Sequence, residues 1–104
     1  MKVIEKKLLI EKEEADLYQE ILDIKQGSYP GAGPDSTIQT YTVDFGMGFE
    51  LDIKICNGES PYIDIVLFKA RKEVVYSPKI SNSLLAHYKV EHNGFEFIAI
   101  LEEK

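Results

Sequence analysis

Tryptophan is absent from this 104-residue chain, cysteine occurs once and histidine twice. A single cysteine excludes an intrachain disulfide framework and any cysteine-built zinc cluster. The longest unbroken apolar run is five residues, Phe97–Leu101. That is far short of the roughly 20 residues that a membrane-spanning helix needs. The first seven residues, Met-Lys-Val-Ile-Glu-Lys-Lys, lack the apolar stretch of a secretory signal, so a cytoplasmic protein is expected. Basic residues are also scarce: 12 Lys plus Arg stand against 18 Asp plus Glu, a net charge of −6. Nucleic-acid binders draw most of their affinity from neutralising phosphates, so this balance argues against direct DNA or RNA binding. It suits a partner that is neutral or basic.

What remains is an ordinary globular composition, with 44% hydrophobic residues, enough to bury a core in a single domain without covalent staples. Residues 2–10 read as a strand, its charges at Glu5, Lys6 and Lys7 suiting a sheet edge. Residues 11–24 read as the one helix. Leu17, Tyr18, Ile21, Leu22 and Ile24 form an apolar stripe, acids crowd the first turn, and Gly27 follows the end. Residues 25–37 hold three glycines and two prolines and read as a loop. No Gly-Lys-Ser/Thr follows them, so they make no phosphate cradle.

From residue 38 onward the pattern alternates with period two. A three-residue loop at Gly46–Gly48 sets Val43 opposite Leu51, Tyr41 opposite Ile53 and Phe45 opposite Phe49. A five-residue turn at Asn57–Pro61 sets Ile55, Ile53 and Leu51 opposite Ile63, Ile65 and Leu67, with Lys54 against Asp64. A short strand, Val74–Tyr76, is stopped or held to an edge by Pro78. Asn93-Gly94 marks a tight hairpin that pairs Val90 with Phe97 and Tyr88 with Ala99. The expected fold is α+β: a six- to seven-stranded antiparallel sheet in the order β-α-β-β-β-β-β-β, with one helix packed on one face.

Four groups of residues bear on function. Cys56 with a histidine could serve as a thiol nucleophile and base, the basis of a small-hydrolase reading. No helix N-terminus stands beside it to lower its pKa, and a lone cysteine is commonly a small buried hydrophobe. His87 and His92 are five residues apart on one strand, which turns them to opposite faces and away from a shared metal ion. Asp44, Glu50 and Asp52, with Asp64 nearby, form an acidic row. It reads as a solvated face, as a surface for a basic partner, or as a mimic of nucleic acid directed at a nuclease. Most aromatics, among them Tyr41, Phe45, Phe49, Phe68, Tyr76 and Phe97, read as core. Tyr29 in the loop and Met47 at the hairpin tip read as exposed anchors for a partner.

The stretch from Thr40 to Gly58, Thr-Tyr-Thr-Val-Asp-Phe-Gly-Met-Gly-Phe-Glu-Leu-Asp-Ile-Lys-Ile-Cys-Asn-Gly, resembles small uncharacterised proteins of Gram-positive (Firmicutes) gut bacteria and their mobile elements. The resemblance implies a mobile-element accessory protein and no catalytic residue. The functional expectation is a non-catalytic binding module that acts through protein contacts at Tyr29, Met47, Asp44, Glu50 and Asp52, with no metal and no cofactor. Exposed strand edges also offer a route to a homodimer.

Overall fold

A computed structural model describes residues 1–25, 37–57, 62–79 and 83–104, and of residues 20–25, 37 and 57 it describes the backbone alone. The elements are β1 (Lys2–Ile10), α1 (Lys12–Lys25), β2 (Thr37–Gly46), β3 (Phe49–Asn57), β4 (Tyr62–Lys69), β5 (Lys72–Lys79), β6 (His87–His92) and β7 (Phe95–Glu103). The strands form two sheets: a four-stranded antiparallel meander, β2-β3-β4-β5, and a three-stranded sheet, β1-β7-β6.

This corrects the expectation of one continuous antiparallel sheet. β1 pairs with β7 in parallel, Lys2 opposite Phe95 through Ile10 opposite Glu103. A parallel partner needs a long connection, and here most of the chain lies between the two strands. Lys2 N–H donates to the Gly94 carbonyl at 2.9 Å, and Lys104 N–H to the Ile10 carbonyl at 2.9 Å, so both ends of the pair are tied.

The hairpin registers follow the period-two pattern. Val43 faces Leu51, Tyr41 faces Ile53, and Lys54 faces Asp64. Ile55, Ile53 and Leu51 lie opposite Ile63, Ile65 and Leu67, and Val90 and Tyr88 opposite Phe97 and Ala99. One detail differs: the tip is two residues, Met47-Gly48, in place of the expected three-residue loop at Gly46–Gly48, so Gly46, not Phe45, stands opposite Phe49, the ladder shifting between Asp44 and Gly46. The bulge still leaves Phe45 buried. β5 is longer than the three residues read from the sequence, and Pro78 sits in it because β5 is an edge that needs no donor there.

The inner faces of the two sheets meet in one core. Phe97 of β7 packs between two residues of the meander, its ring centroid 5.1 Å from Phe45 and 4.6 Å from Phe49. Val43, Leu51, Ile53, Ile55, Ile63, Ile65 and Leu67 complete the meander's share, and Ile10, Tyr88, Val90, Ala99 and Leu101 that of the smaller sheet. The buried Tyr88 hydroxyl donates to the Leu84 carbonyl at 3.0 Å, which satisfies a polar group the core would otherwise penalise. Among the described residues the second sheet, more than the helix, packs on the meander. The helix follows β1 at the end where β1 and β7 finish. Ala15 enters the core, Tyr18 meets Tyr41 edge-on at 6.4 Å, and the Gln19 side chain accepts from Leu84 N–H at 3.2 Å. Leu17, expected in the buried stripe, is 55% exposed. The side chains of Ile21, Leu22 and Ile24, and Gly27 with the rest of the loop to residue 36, lie outside the described residues. Among the described residues no helix is long and apolar enough to cross a membrane.

Three hairpin tips lie at the other end. The Lys69 ammonium donates to the Met47 carbonyl and stands 4.2 Å from the Phe49 ring centroid, and Ala70 N–H donates to the Gly48 carbonyl at 3.0 Å. The β4–β5 turn is unusual in composition. Ala70 (φ 51°) and Arg71 (φ 65°) both hold left-handed backbone, which costs an L-residue about 1–2 kcal/mol. The β6–β7 turn meets the same geometry with Asn93-Gly94, the favoured pair.

Two outcomes are expected. Phe97→Ala should cost about 3–5 kcal/mol in urea denaturation, since the ring is fully buried between the sheets. Ala70→Asn with Arg71→Gly should raise stability by about 1 kcal/mol in the same measurement. A loss would mean that the Arg71 side chain outweighs the relieved strain.

Candidate functional site

Each meander strand that turns one side chain into the core turns the next to the outside. The outer face of this sheet therefore carries the residues on which function can be argued. The acidic row assembles there. Asp44 and Glu50 stand directly opposite each other, and Asp52 lies two residues beyond Glu50 on the same face. The Asp44 carboxylate accepts from Gly46 N–H at 2.8 Å, and Asp52 accepts from the Thr42 hydroxyl at 3.1 Å. Partial desolvation raises the Glu50 pKa first, followed by the charge of Asp52, a hydrogen bond shared with Asp52, and the charge of Asp44. Arg71, at the adjoining turn, pulls it the other way.

Asp64 does not extend this row. It faces Lys54 across the ladder and accepts from the Tyr76 hydroxyl at 3.1 Å. Opposite Asp52 the ladder carries Val66, not an acid. The mimic reading asks for one unbroken strip of four carboxylates, and Lys54 and Val66 break it.

Beside the acids lies an apolar strip. Phe68 is half-buried, Val74 is exposed and Tyr76 is 53% exposed. Val66, between them, is buried although its place in the strand turns it away from the core. The Lys54 ammonium reaches over the Phe68 ring at 5.9 Å from the centroid. The Asp64 hydrogen bond, with burial and nearby charge, raises the Tyr76 pKa and orients its ring. Sequence reasoning placed Phe68 and Tyr76 in the core. The signal that would have corrected it was present: once Leu67 is turned inward by its pairing with Leu51, Phe68 must point out.

The other candidates are dispersed. Met47 is 57% exposed at its tip, close to Asp44 in sequence but beyond the edge of the apolar strip. Tyr29 lies outside the described residues. Cys56 is buried at the far end of the outer face, opposite Tyr62. Its hydrogen bond and the burial of the pair push the Tyr62 phenol up to about 12, so that phenol is neutral at pH 7 and offers no base. His87 is exposed on the outer face of the other sheet, and His92 turns toward the Phe49 ring, 6.4 Å between centroids. The two outer faces lie on opposite sides of the molecule, which separates Cys56 from His87. Among the described residues no group of three or more His, Cys, Asp and Glu is arranged to hold a metal ion.

The raised Glu50 pKa has a sign consequence for stability. The folded state binds this proton more tightly than the unfolded chain, so ionised Glu50 works against folding at neutral pH. That cost disappears as pH falls through the folded pKa to the ordinary carboxylate value. Glu50→Gln should therefore stabilise the protein by a few tenths of a kcal/mol at pH 7, roughly the cost of one cross-strand like-charge pair. The gain should vanish near pH ~4, read from urea midpoints at the two pH values. Comparison with known proteins found no protein-family model, no curated protein and no solved structure that matches this chain.

Proposed function

We propose that this chain is a non-catalytic binding module, acting in the bacterial cytoplasm through protein–protein contacts made by the outer face of β2–β5. The observation that carries the reading is the juxtaposition on one rigid sheet of exposed Tyr76 and Val74, half-buried Phe68, and the carboxylates of Asp44, Glu50 and Asp52. A ring flanked by polar groups that exclude water is the usual anatomy of an interaction hot spot. The sheet supplies preorganisation: its inner face is locked in the core, so little backbone freedom is lost when the outer face is covered. The resemblance to mobile-element proteins suits an accessory role of this kind.

The test is affinity capture from a lysate of the source organism with four baits: wild type, Tyr76→Ala, Val74→Ser and, as a control on the opposite outer face, Lys89→Ala. A partner held by wild type and Lys89→Ala but lost by Tyr76→Ala and Val74→Ser is the expected result. A partner held equally by all four would remove this face from consideration.

A further inference from the structure

The outer face of the meander is charged as well as apolar. Asp44, Glu50, Asp52, Asp64 and Glu73 lie on it or at its rim, against the cations Lys54, Arg71 and Lys72. Five negative and three positive charges leave a local charge of −2. The ion pairs of the described residues lie elsewhere: Lys7 with Glu102, Lys12 with Asp16 and Glu103, Lys89 with Glu96 and Lys104 with Glu11. Among the described residues none of the acids of this face is in an ion pair.

The sign of that charge selects among occupants. Nucleic acid and anionic membrane are repelled by it. A second copy of this chain would set one net negative face against another, and like charges brought face to face in an interface are unfavourable. A cationic polypeptide meets the opposite condition. Its ammonium or guanidinium groups reach the carboxylates, and its apolar side chains cover Phe68, Val74 and Tyr76. The face already displays this contact in miniature, since Lys54 lies over the Phe68 ring while facing Asp64. Arginine would do the same with more ring contact and two-pronged hydrogen bonds to carboxylate.

We propose that the outer face of β2–β5 docks a basic, partly apolar polypeptide segment, its Lys or Arg side chains shared between Asp44, Glu50 and Asp52 and the rings of Phe68 and Tyr76. The proposal rests on the reading of this face as a docking surface and adds the chemistry of the partner.

Its test needs no natural partner. A short fluorescent peptide alternating Arg and Leu is titrated by anisotropy, beside peptides with Ser or Glu in place of Arg. The Arg peptide should bind. Its affinity should fall at least about tenfold in the triple variant Asp44→Asn, Glu50→Gln, Asp52→Asn, and fall again in Tyr76→Ala. It should also weaken steeply with salt. Neutralising three carboxylates elsewhere, Glu5→Gln, Glu13→Gln and Glu91→Gln, should leave it unchanged. Equal loss in that control would reduce the effect to net charge and overturn the proposal. So would failure of the Arg peptide to bind, preferential binding of the Glu peptide or of an oligonucleotide, or self-association of the protein abolished by the same triple variant. If the Ser peptide binds as tightly as the Arg peptide and depends on Tyr76, the docking face stands and only the basic partner falls. If neither peptide responds to Tyr76→Ala or to the triple variant, both fall.

Discussion

The structure depends on the burial of one sheet face against another. Each of the seven strands contributes alternate side chains, and the inward set makes up the core. Phe97 shows why neither sheet stands without the other. It is fully buried, yet it belongs to the smaller sheet, and the surfaces that bury it are Phe45 and Phe49 of the larger one. A three-stranded sheet alone would expose this ring and the aliphatic row behind it. The free energy of folding is therefore concentrated in contacts between segments far apart in the chain.

That arrangement frees the outer faces for other work. On the smaller sheet the outer face carries half-buried Ile98 and Ile100, the Lys7–Glu102 and Lys89–Glu96 ion pairs between neighbouring strands, and Val3 and Leu9 exposed on the edge strand β1. The meander's outer face adds a like-charge pair in register to its exposed apolar residues. Asp44 sits opposite Glu50, a pairing that works against the sheet, and Tyr76 and Val74 are left in solvent on an edge strand. Both features carry a local cost that folding does not require. The turn at Ala70 and Arg71, which places a guanidinium beside the acidic row at the expense of backbone comfort, adds a third. Their concentration at one corner of one sheet is the physical reason for placing a binding surface there.

The hairpin registers are legible in the order of residues alone, and the reason is parity. A one-residue slip at Val43–Leu51 or Ile53–Ile65 would turn every apolar side chain to the wrong side, so the alternating pattern admits only one alignment. The Asn93-Gly94 turn and the confinement of Pro78 to an edge follow from equally local rules. The acidic row was also legible, because cross-strand neighbours are a consequence of register. The apolar half of the site was not, because Phe68 and Tyr76 were sorted by residue type instead of by strand parity.

The sequence by itself determined the order of the strands, the meander's registers away from its two bulges, and the sign of the charge that its outer face would carry. All of these rest on contacts between near neighbours, where spacing alone dictates geometry. Tertiary structure decided the rest: that the chain makes two sheets, that β1 lies parallel to β7, and that the helix plugs one end while the second sheet takes the place expected for it. Those outcomes turn on which distant apolar surfaces bury each other most completely. The stripe read on α1 and the inner face of β7 are both apolar in sequence, and spacing does not choose between them. The choice between them is a property of the assembled core, and no local pattern contains it.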